Sequence, residues 1–365
     1  MNVFNSVLLV IGTCIGGGIL ALPMALNSSG FAVSVFALIL IWIVMTFGAF
    51  LILKLSYKTS SKSDYHSLIK QNSTSGTYLL DILYFLLLGA ILLSYSRSLI
   101  DLINPNFSLS LLIILSIFVM YFLVLANGLN VLTLINRPLV ITKLIIFFIL
   151  IYKFSTSISF ENLSHFDINP TKEILPFIVT SFGFAVIVPS FKTNLSYKQA
   201  KFVLVLGSSL TLLMYISWIF VFFGNIRYEL IINALLKEHS VFSVISLLSS
   251  TKETKILVLT FYFICVLTSL NAVGFSLLRF LQDTIKPSAR KNYMLAFFVA
   301  FTPLVIAYAY QNAFLFGIKS AGFVCFSLLF VVPLVLNLDK KYLKLKNWIN
   351  IIVFVLAVTS ILLGL

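Results

Sequence analysis

The chain has 365 residues, of which 60% are hydrophobic and only 10% charged, with a mean hydropathy of +1.10. Soluble domains carry about 25% charged residues, so the composition excludes a soluble globular domain and identifies an integral membrane protein. The net charge of +14 does not call for nucleic acid as a partner: the basic residues are spread over many short loops, where they set orientation in the bilayer.

A helix needs about 20 apolar residues to cross the hydrocarbon. Eleven segments qualify on the sequence, at about 4–26, 31–54, 78–100, 108–127, 136–154, 174–191, 202–224, 254–281, 292–310, 313–336 and 347–364. They are continuously apolar rather than alternating, which predicts helices and not barrel strands. The expected fold is an all-α integral membrane protein with one transmembrane domain over 1–365. The N-terminus, MNVFNSVLLV, has no basic residue and runs straight into the first span. It reads as a retained helix and not as a cleaved signal peptide.

With the N-terminus in the cytoplasm, most basic residues fall on cytoplasmic loops, among them Lys54, Lys58, Lys62, Lys70, Arg137, Lys198, Lys201, Arg290 and Lys341. That bias predicts N-inside and C-outside. Two longer loops, 155–173 and 225–253, then lie outside. The second contains ELIINALLKEHSVFSVISLLSS, which has amphipathic helical spacing but is too polar to span. It reads either as a lid over the outer face or as a passive interfacial helix. Cys14, Cys265 and Cys325 sit in apolar spans and read as small buried hydrophobes. His66, His165 and His239 are in loops far apart in the sequence. No disulfide, metal or organic cofactor is expected.

Span one carries Gly12, Gly16, Gly17, Gly18 and Pro23 within IGTCIGGGILALPMA. Span six, FIVTSFGFAVIVPSF, is short and carries Gly183 and Pro189. Each opens a block of five spans, about 4–154 and 174–336, and an odd count forces the second block to be inverted. Matched Gly/Pro interruptions in two halves point to a transporter binding site. Glycine lets the helix unwind and lets a ligand approach the backbone. Half-helix N-termini can then hold a carboxylate, and freed carbonyls an ammonium. Close helix packing is the competing explanation for any one glycine cluster.

At these residues the chain resembles the bacterial aromatic amino acid permeases, the tyrosine- and tryptophan-specific proton symporters of the amino acid–polyamine–organocation superfamily. Gly12-Thr13-Cys14-Ile15-Gly16-Gly17-Gly18-Ile19-Leu20-Ala21-Leu22-Pro23 is similar to that family's G-T-x-I-G-x-G-M/I-L-A-x-P signature. Thr180-Ser181-Phe182-Gly183-Phe184, ending in Pro189-Ser190, resembles its span-six motif. Leu267 to Asp283 resembles its span eight, and Asn136-Arg137 followed by Lys143 the start of its span five. The resemblance implies a LeuT-type 5+5 inverted repeat with broken helices one and six and one extra C-terminal helix. It implies an amino acid substrate held between spans one, three, six, eight and ten, and a proton as coupling ion. Carried over by residue, it assigns substrate contacts to Thr13, Cys14, Gly16, Gly17 and Gly18, and to Ser181, Phe182, Gly183 and Phe184. Phe182 or Phe184 could face an aromatic ring, an arrangement that adds about 0.5–1.5 kcal/mol. Core packing is the alternative for both. The sequence departs from the family where His-Gly often follows the Phe-Gly-Phe: here Ala185-Val186 stand instead. Arg279 takes a place where relatives can carry an acid.

Ionisable residues inside spans are costly and usually functional. Lys143 either snorkels to the cytoplasmic interface or, as in some proton-coupled relatives, takes the place of a sodium ion between spans one and eight. Its partners would then be carbonyls near Gly12 and the hydroxyls of Thr268 and Ser269, and it could gain and lose a proton in the cycle. Lys319 in span ten snorkels, lines an outer vestibule, or contacts a gate or substrate. Arg97 and Asp101, at i and i+4, are spaced for an ion pair and are candidates for an outer gate.

A membrane enzyme would need clustered catalytic groups, and the acids here are scattered. A channel would need a selectivity ring or repeated pore segment, and none is seen in the sequence. The sequence therefore predicts a non-enzymatic secondary transporter of the bacterial inner membrane, importing tyrosine or tryptophan with protons by alternating access. Its partners are the amino acid and the bilayer. A transporter of another neutral amino acid, such as serine or threonine, is the alternative. A channel or non-transporting subunit ranks below both.

Overall fold

The computed structural model describes residues 3–337, apart from 59–64, 66–67, 69–76, 104–107, 169–170, 239–240, 249–250 and 286–287. The described residues form helices and connecting turns, with no strand among them. The first ten expected spans are all helical. The eleventh, 347–364, lies outside the described residues, as do His66 and His239.

Span one is two helices, Val3–Cys14 and Gly17–Leu26. Span two is Gly30–Lys58, three Thr77–Ile103, four Ser108–Asn127 and five Leu129–Ser155. Span six is an α-helix, Thr171–Ser181, continued by a 3₁₀ run over Gly183–Thr193. Span seven is Tyr197–Asn225, eight Lys252–Ile285 and nine Ala289–Ala309. Span ten, Ala313–Leu336, is interrupted by a π turn at Ser327–Val331. Local chemistry sets several of these boundaries. Span seven opens on a capping box: the Ser196 hydroxyl accepts the Gln199 N–H at 3.3 Å, and the Gln199 side chain accepts the Ser196 N–H at 2.9 Å. Gly30, which joins spans one and two, has φ +75° and packs against the His165 carbonyl. Only glycine fits both the left-handed backbone and the space.

Lipid-facing and interior positions separate as a bilayer protein requires. Phe36, Met120, Phe148, Leu213, Phe297 and Val305 are exposed apolar side chains on the outside of the bundle. The buried share of the apolar window is 67% in spans six and ten but 22% in span five, so the first two are interior and the last peripheral. Span three packs on spans eight, nine and ten. Span six packs on spans one, two and ten, and span seven on the first half of span one and on span two. Span five rests on spans seven and eight. The interior helices approach closely: the Thr180 hydroxyl donates to the Ile318 carbonyl at 3.1 Å, and the Ser94 hydroxyl to the Phe314 carbonyl at 3.1 Å.

The amphipathic stretch after span seven folds as two helices, Tyr228–Glu238 and Val241–Ser246, packed on each other and on the end of span one. The segment before span six lies over the same end. The Asp167 N–H donates to the Ser29 carbonyl at 3.2 Å, and the His165 ring stacks on Tyr228 with centroids 4.1 Å apart. These elements tie down the second half of span one at the end away from Val3.

Candidate functional site

The two interrupted helices meet in the centre of the bundle. In span one the first half stops at Cys14. The Ile15 N–H still bonds to the Ile11 carbonyl at 2.8 Å, but the Gly16 N–H turns back to the Cys14 carbonyl at 2.9 Å. Gly16 is extended, with φ −137° and ψ −141°, and the helix restarts at Gly17. No positive φ is involved, so the three glycines are explained by space. Gly16 faces the Ser269 hydroxyl of span eight. Gly17 lies against the Tyr95 ring of span three. Gly18 touches Ser181 of span six, where an added Cβ would lie 2.8 Å from Oγ and 3.1 Å from Cα. One glycine is used for each of three neighbouring spans.

In span six the break falls at Phe182, whose N–H is shared between the Ile178 and Val179 carbonyls at 3.2 and 3.1 Å. The chain then winds as 3₁₀ for 11 residues, where runs beyond about four are uncommon because the bond geometry is poorer. Phe182, Phe184 and Ala185 are all buried. Phe182 meets the Tyr215 ring edge-on at 5.2 Å. Gly183 is roomy: an added Cβ would meet only Cys325 Sγ, at 3.6 Å.

Lys143 is 1% exposed and points from span five into the first break. Its ammonium donates to the Gly12 carbonyl at 3.3 Å, to the Ile15 carbonyl, and to the Thr268 hydroxyl at 3.2 Å. The Thr268 hydroxyl can accept this bond because its own proton goes to the carbonyls of Ile264 (2.8 Å) or Cys265 (3.2 Å) on the same helix. An ammonium has three protons and no lone pair, and here it has three acceptors. Snorkelling to an interface is therefore not what this lysine does.

Tyr215 of span seven ties the breaks together. Its hydroxyl lies 2.8 Å from the Cys14 carbonyl and 2.8 Å from the Ser181 carbonyl. The Cys14 thiol sits beside the Thr211 hydroxyl, one turn away on the same span, and beside the Phe184 backbone.

A sequence model of the tryptophan/tyrosine permease family matches residues 1–363. The chain belongs to that family. It is 27% identical to tyrosine-specific transport system 1 of Haemophilus influenzae, over 97% of this chain and 94% of the relative. It is 26% identical to the low affinity tryptophan permease of Escherichia coli O157:H7, over 93% and 88% of the two chains. It is also 25% identical to glutamine transporter 2 of Aliivibrio fischeri, over 93% and 90%. It is a multi-pass membrane protein of the tryptophan/tyrosine permease family.

Within this permease fold the remaining expected residues are placed unevenly. Cys14, Gly16, Gly17, Gly18, Ser181, Phe182, Gly183 and Phe184 gather at the paired breaks. Thr13 does not: it is exposed, and its hydroxyl returns to the Leu9 carbonyl at 2.7 Å. The Ser269 expectation needs correction. Thr268 and Ser269 are consecutive on a helix and cannot face one ammonium together. Thr268 takes Lys143, while Ser269 turns to Gly16 and the Tyr95 hydroxyl. The Ile15 carbonyl takes the place expected of Ser269. Arg97 and Asp101 form the ion pair at 2.7 Å, and Arg97 also donates to the Ala307 carbonyl at 3.2 Å, tying span three to span nine. Lys319 is half-buried on span ten, with no ion pair among the described residues.

Tyr215 and Tyr95 were not among the expected site residues. For Tyr215 the signal was present: Ser208, Thr211 and Tyr215 form a polar stripe at helical spacing inside an apolar span, and all three are buried. A second polar seam runs beside Lys143. Asn136 donates to the Thr268 carbonyl at 3.3 Å, and Asn271 donates to Asn136 at 3.0 Å.

Proposed function

We propose that this family member imports an aromatic amino acid, tyrosine or tryptophan, together with a proton, by alternating access across the bacterial inner membrane, with its N-terminus in the cytoplasm and its C-terminus outside. The observation that carries the proposal is the Lys143 ammonium nested against the first half of span one and Thr268. A protonated amine engages all three acceptors. A neutral amine keeps two N–H donors and exposes a lone pair, so it releases one acceptor of the set. Proton loss thus loosens the hold of span five on the break of span one. That links one proton to the shape of the helix that would grip the substrate.

Freed backbone at the two breaks supplies the grip. The N–H groups that open Gly17–Leu26 suit a carboxylate. The carbonyls that end the first halves of spans one and six suit an ammonium. Phe182, at the second break, supplies an edge-on contact for a ring. In the cycle, spans one and six close around the amino acid. The bundle then rocks against spans three, four, eight and nine and opens inward. No catalytic group or cofactor enters this scheme; the proton is the coupling ion.

A second reading is another neutral amino acid. It is favoured by Ala185-Val186, where the family often has His-Gly, and by the relative named as a glutamine transporter. One experiment tests both. Uptake of labelled tyrosine is measured in transport-deficient bacteria making the protein, with unlabelled tryptophan, phenylalanine, serine and glutamine as competitors, with and without a protonophore. Protonophore-sensitive uptake blocked only by aromatics is the expected result. Uptake of labelled glutamine with none of tyrosine moves the substrate to the second reading. Uptake indifferent to protonophore removes the proton.

A further inference from the structure

The Tyr215 hydroxyl sits between two carbonyls that belong to different helices. Cys14 ends the first half of span one and Ser181 the first half of span six, and both carbonyls are 2.8 Å from the same oxygen. Carbonyls at helix C-terminal ends lack a partner in their own helix and carry partial negative charge. A phenol has a single proton. It can serve one of these carbonyls fully, or share itself between them, but cannot satisfy both. The Cys14 carbonyl has some relief from the Gly16 N–H at 2.9 Å. An amino acid ammonium carries three protons and a full charge, and its hydrogen bonds to carbonyls are the stronger kind. An ammonium arriving between the breaks therefore meets acceptors already in use by a weaker donor.

We infer that Tyr215 is a built-in stand-in for the substrate ammonium. It joins the two breaks when no amino acid does, and so lets the unloaded transporter close and return. This rests on the amino acid transport reading above and extends it to the half of the cycle in which nothing is carried. Net uptake needs that return. Exchange of one amino acid for another does not, because the loaded protein is joined by substrate in both directions. Tyr215 acts here as a positioning residue for the two breaks. Its ring also packs on Phe182, and Tyr215→Phe keeps that packing while removing the hydroxyl that lies between the two carbonyls.

The test uses proteoliposomes of the full chain and labelled L-tyrosine, comparing net proton-driven uptake with counterflow into vesicles preloaded with unlabelled L-tyrosine. Loss of one hydrogen bond shared by two helix-end carbonyls sets the expected scale: net uptake by Tyr215→Phe falls about tenfold, while counterflow stays within about threefold of wild type. Retained counterflow also shows that the variant is folded. Net uptake equal to wild type overturns the inference, and so does an equal loss in both assays, which is what a purely structural role gives. Alkylation of Cys14 by N-ethylmaleimide gives a second measurement. Without tyrosine, Cys14 should react faster in Tyr215→Phe than in wild type, and saturating L-tyrosine should erase the difference. Equal rates overturn the inference. Wild-type vesicles with no uptake and no counterflow of tyrosine, tryptophan or glutamine would remove the transport reading itself. A Tyr215→Phe variant with wild-type net uptake removes only the stand-in.

Discussion

The breaks of spans one and six meet in the bundle, yet they are built differently. The first is short, restarts as α-helix within two residues, and is held by polar side chains from three other spans: Lys143, Tyr215 and, at Gly16, Ser269. The second is entered at Phe182 and continues as a long 3₁₀ run whose neighbours are mainly apolar. Tyr215 is a polar contact the two share. Polar contacts at the first break can be exchanged one for another with a proton or a ligand. Apolar packing at the second cannot. The comparison teaches that the two breaks differ in chemistry: the first is held by exchangeable polar contacts and the second by packing.

The largest expected effect of breaking this contrast comes from Lys143→Ala. Three charge-assisted bonds to the first break and to Thr268 are lost together, so driven tyrosine uptake should fall at least about a hundredfold. Immunoblotting of membranes should show normal abundance. Full driven uptake by the variant would remove the lysine from the coupling scheme.

Gly17→Ala comes next. The new methyl group runs into the Tyr95 ring, and overpacking of this kind costs about 1–3 kcal/mol. The thermal midpoint of the detergent-solubilised protein should drop, and Tyr95→Leu in the same chain should recover most of it. A midpoint that stays put would mean that the first break has slack.

Thr268→Val removes one acceptor of the ammonium while keeping side-chain volume. Uptake should fall about tenfold, the scale of one hydrogen bond to a charged group, and Thr268→Ser should restore it. If serine and valine behave alike, the hydroxyl is not what the lysine needs.

The smallest effect belongs to the second break. Gly183→Ala places a methyl group in ordinary contact with Cys325 Sγ at 3.6 Å, so stability should change by less than about 1 kcal/mol and uptake by less than about twofold. A loss as large as that of Gly17→Ala would erase the distinction between the two breaks.

Much of the architecture was legible in the chain. The ten spans that fall in the described residues are where continuous apolar runs put them, because a bilayer admits backbone only as self-satisfied helix. Gly16 to Gly18 and Gly183 marked both breaks. Lys143 stood out because charge at membrane depth is rare. Other features were not legible. The 3₁₀ winding after Phe182 has no local signature beyond Gly183 and Pro189. Within the π turn of span ten the Leu328 carbonyl accepts the hydroxyl of Tyr65, a partner from far away in the sequence. Thr13 shares the signature motif with Cys14, but one residue on a helix turns the side chain away from the junction.

The sequence by itself determined that this is a membrane protein, that ten of its apolar segments are helical, and where two of those helices fail. Hydrophobic length and glycine content are local properties, and they act wherever the segment ends up. The tertiary structure alone decided why there are three glycines in a row, which hydroxyl of Thr268 and Ser269 meets Lys143, and that Tyr215 spans both breaks. Those outcomes depend on which helices are brought within about 3 Å of one another. Tyr215 lies 201 residues from the Cys14 carbonyl along the chain, and only the packing of span seven against the two breaks makes them neighbours.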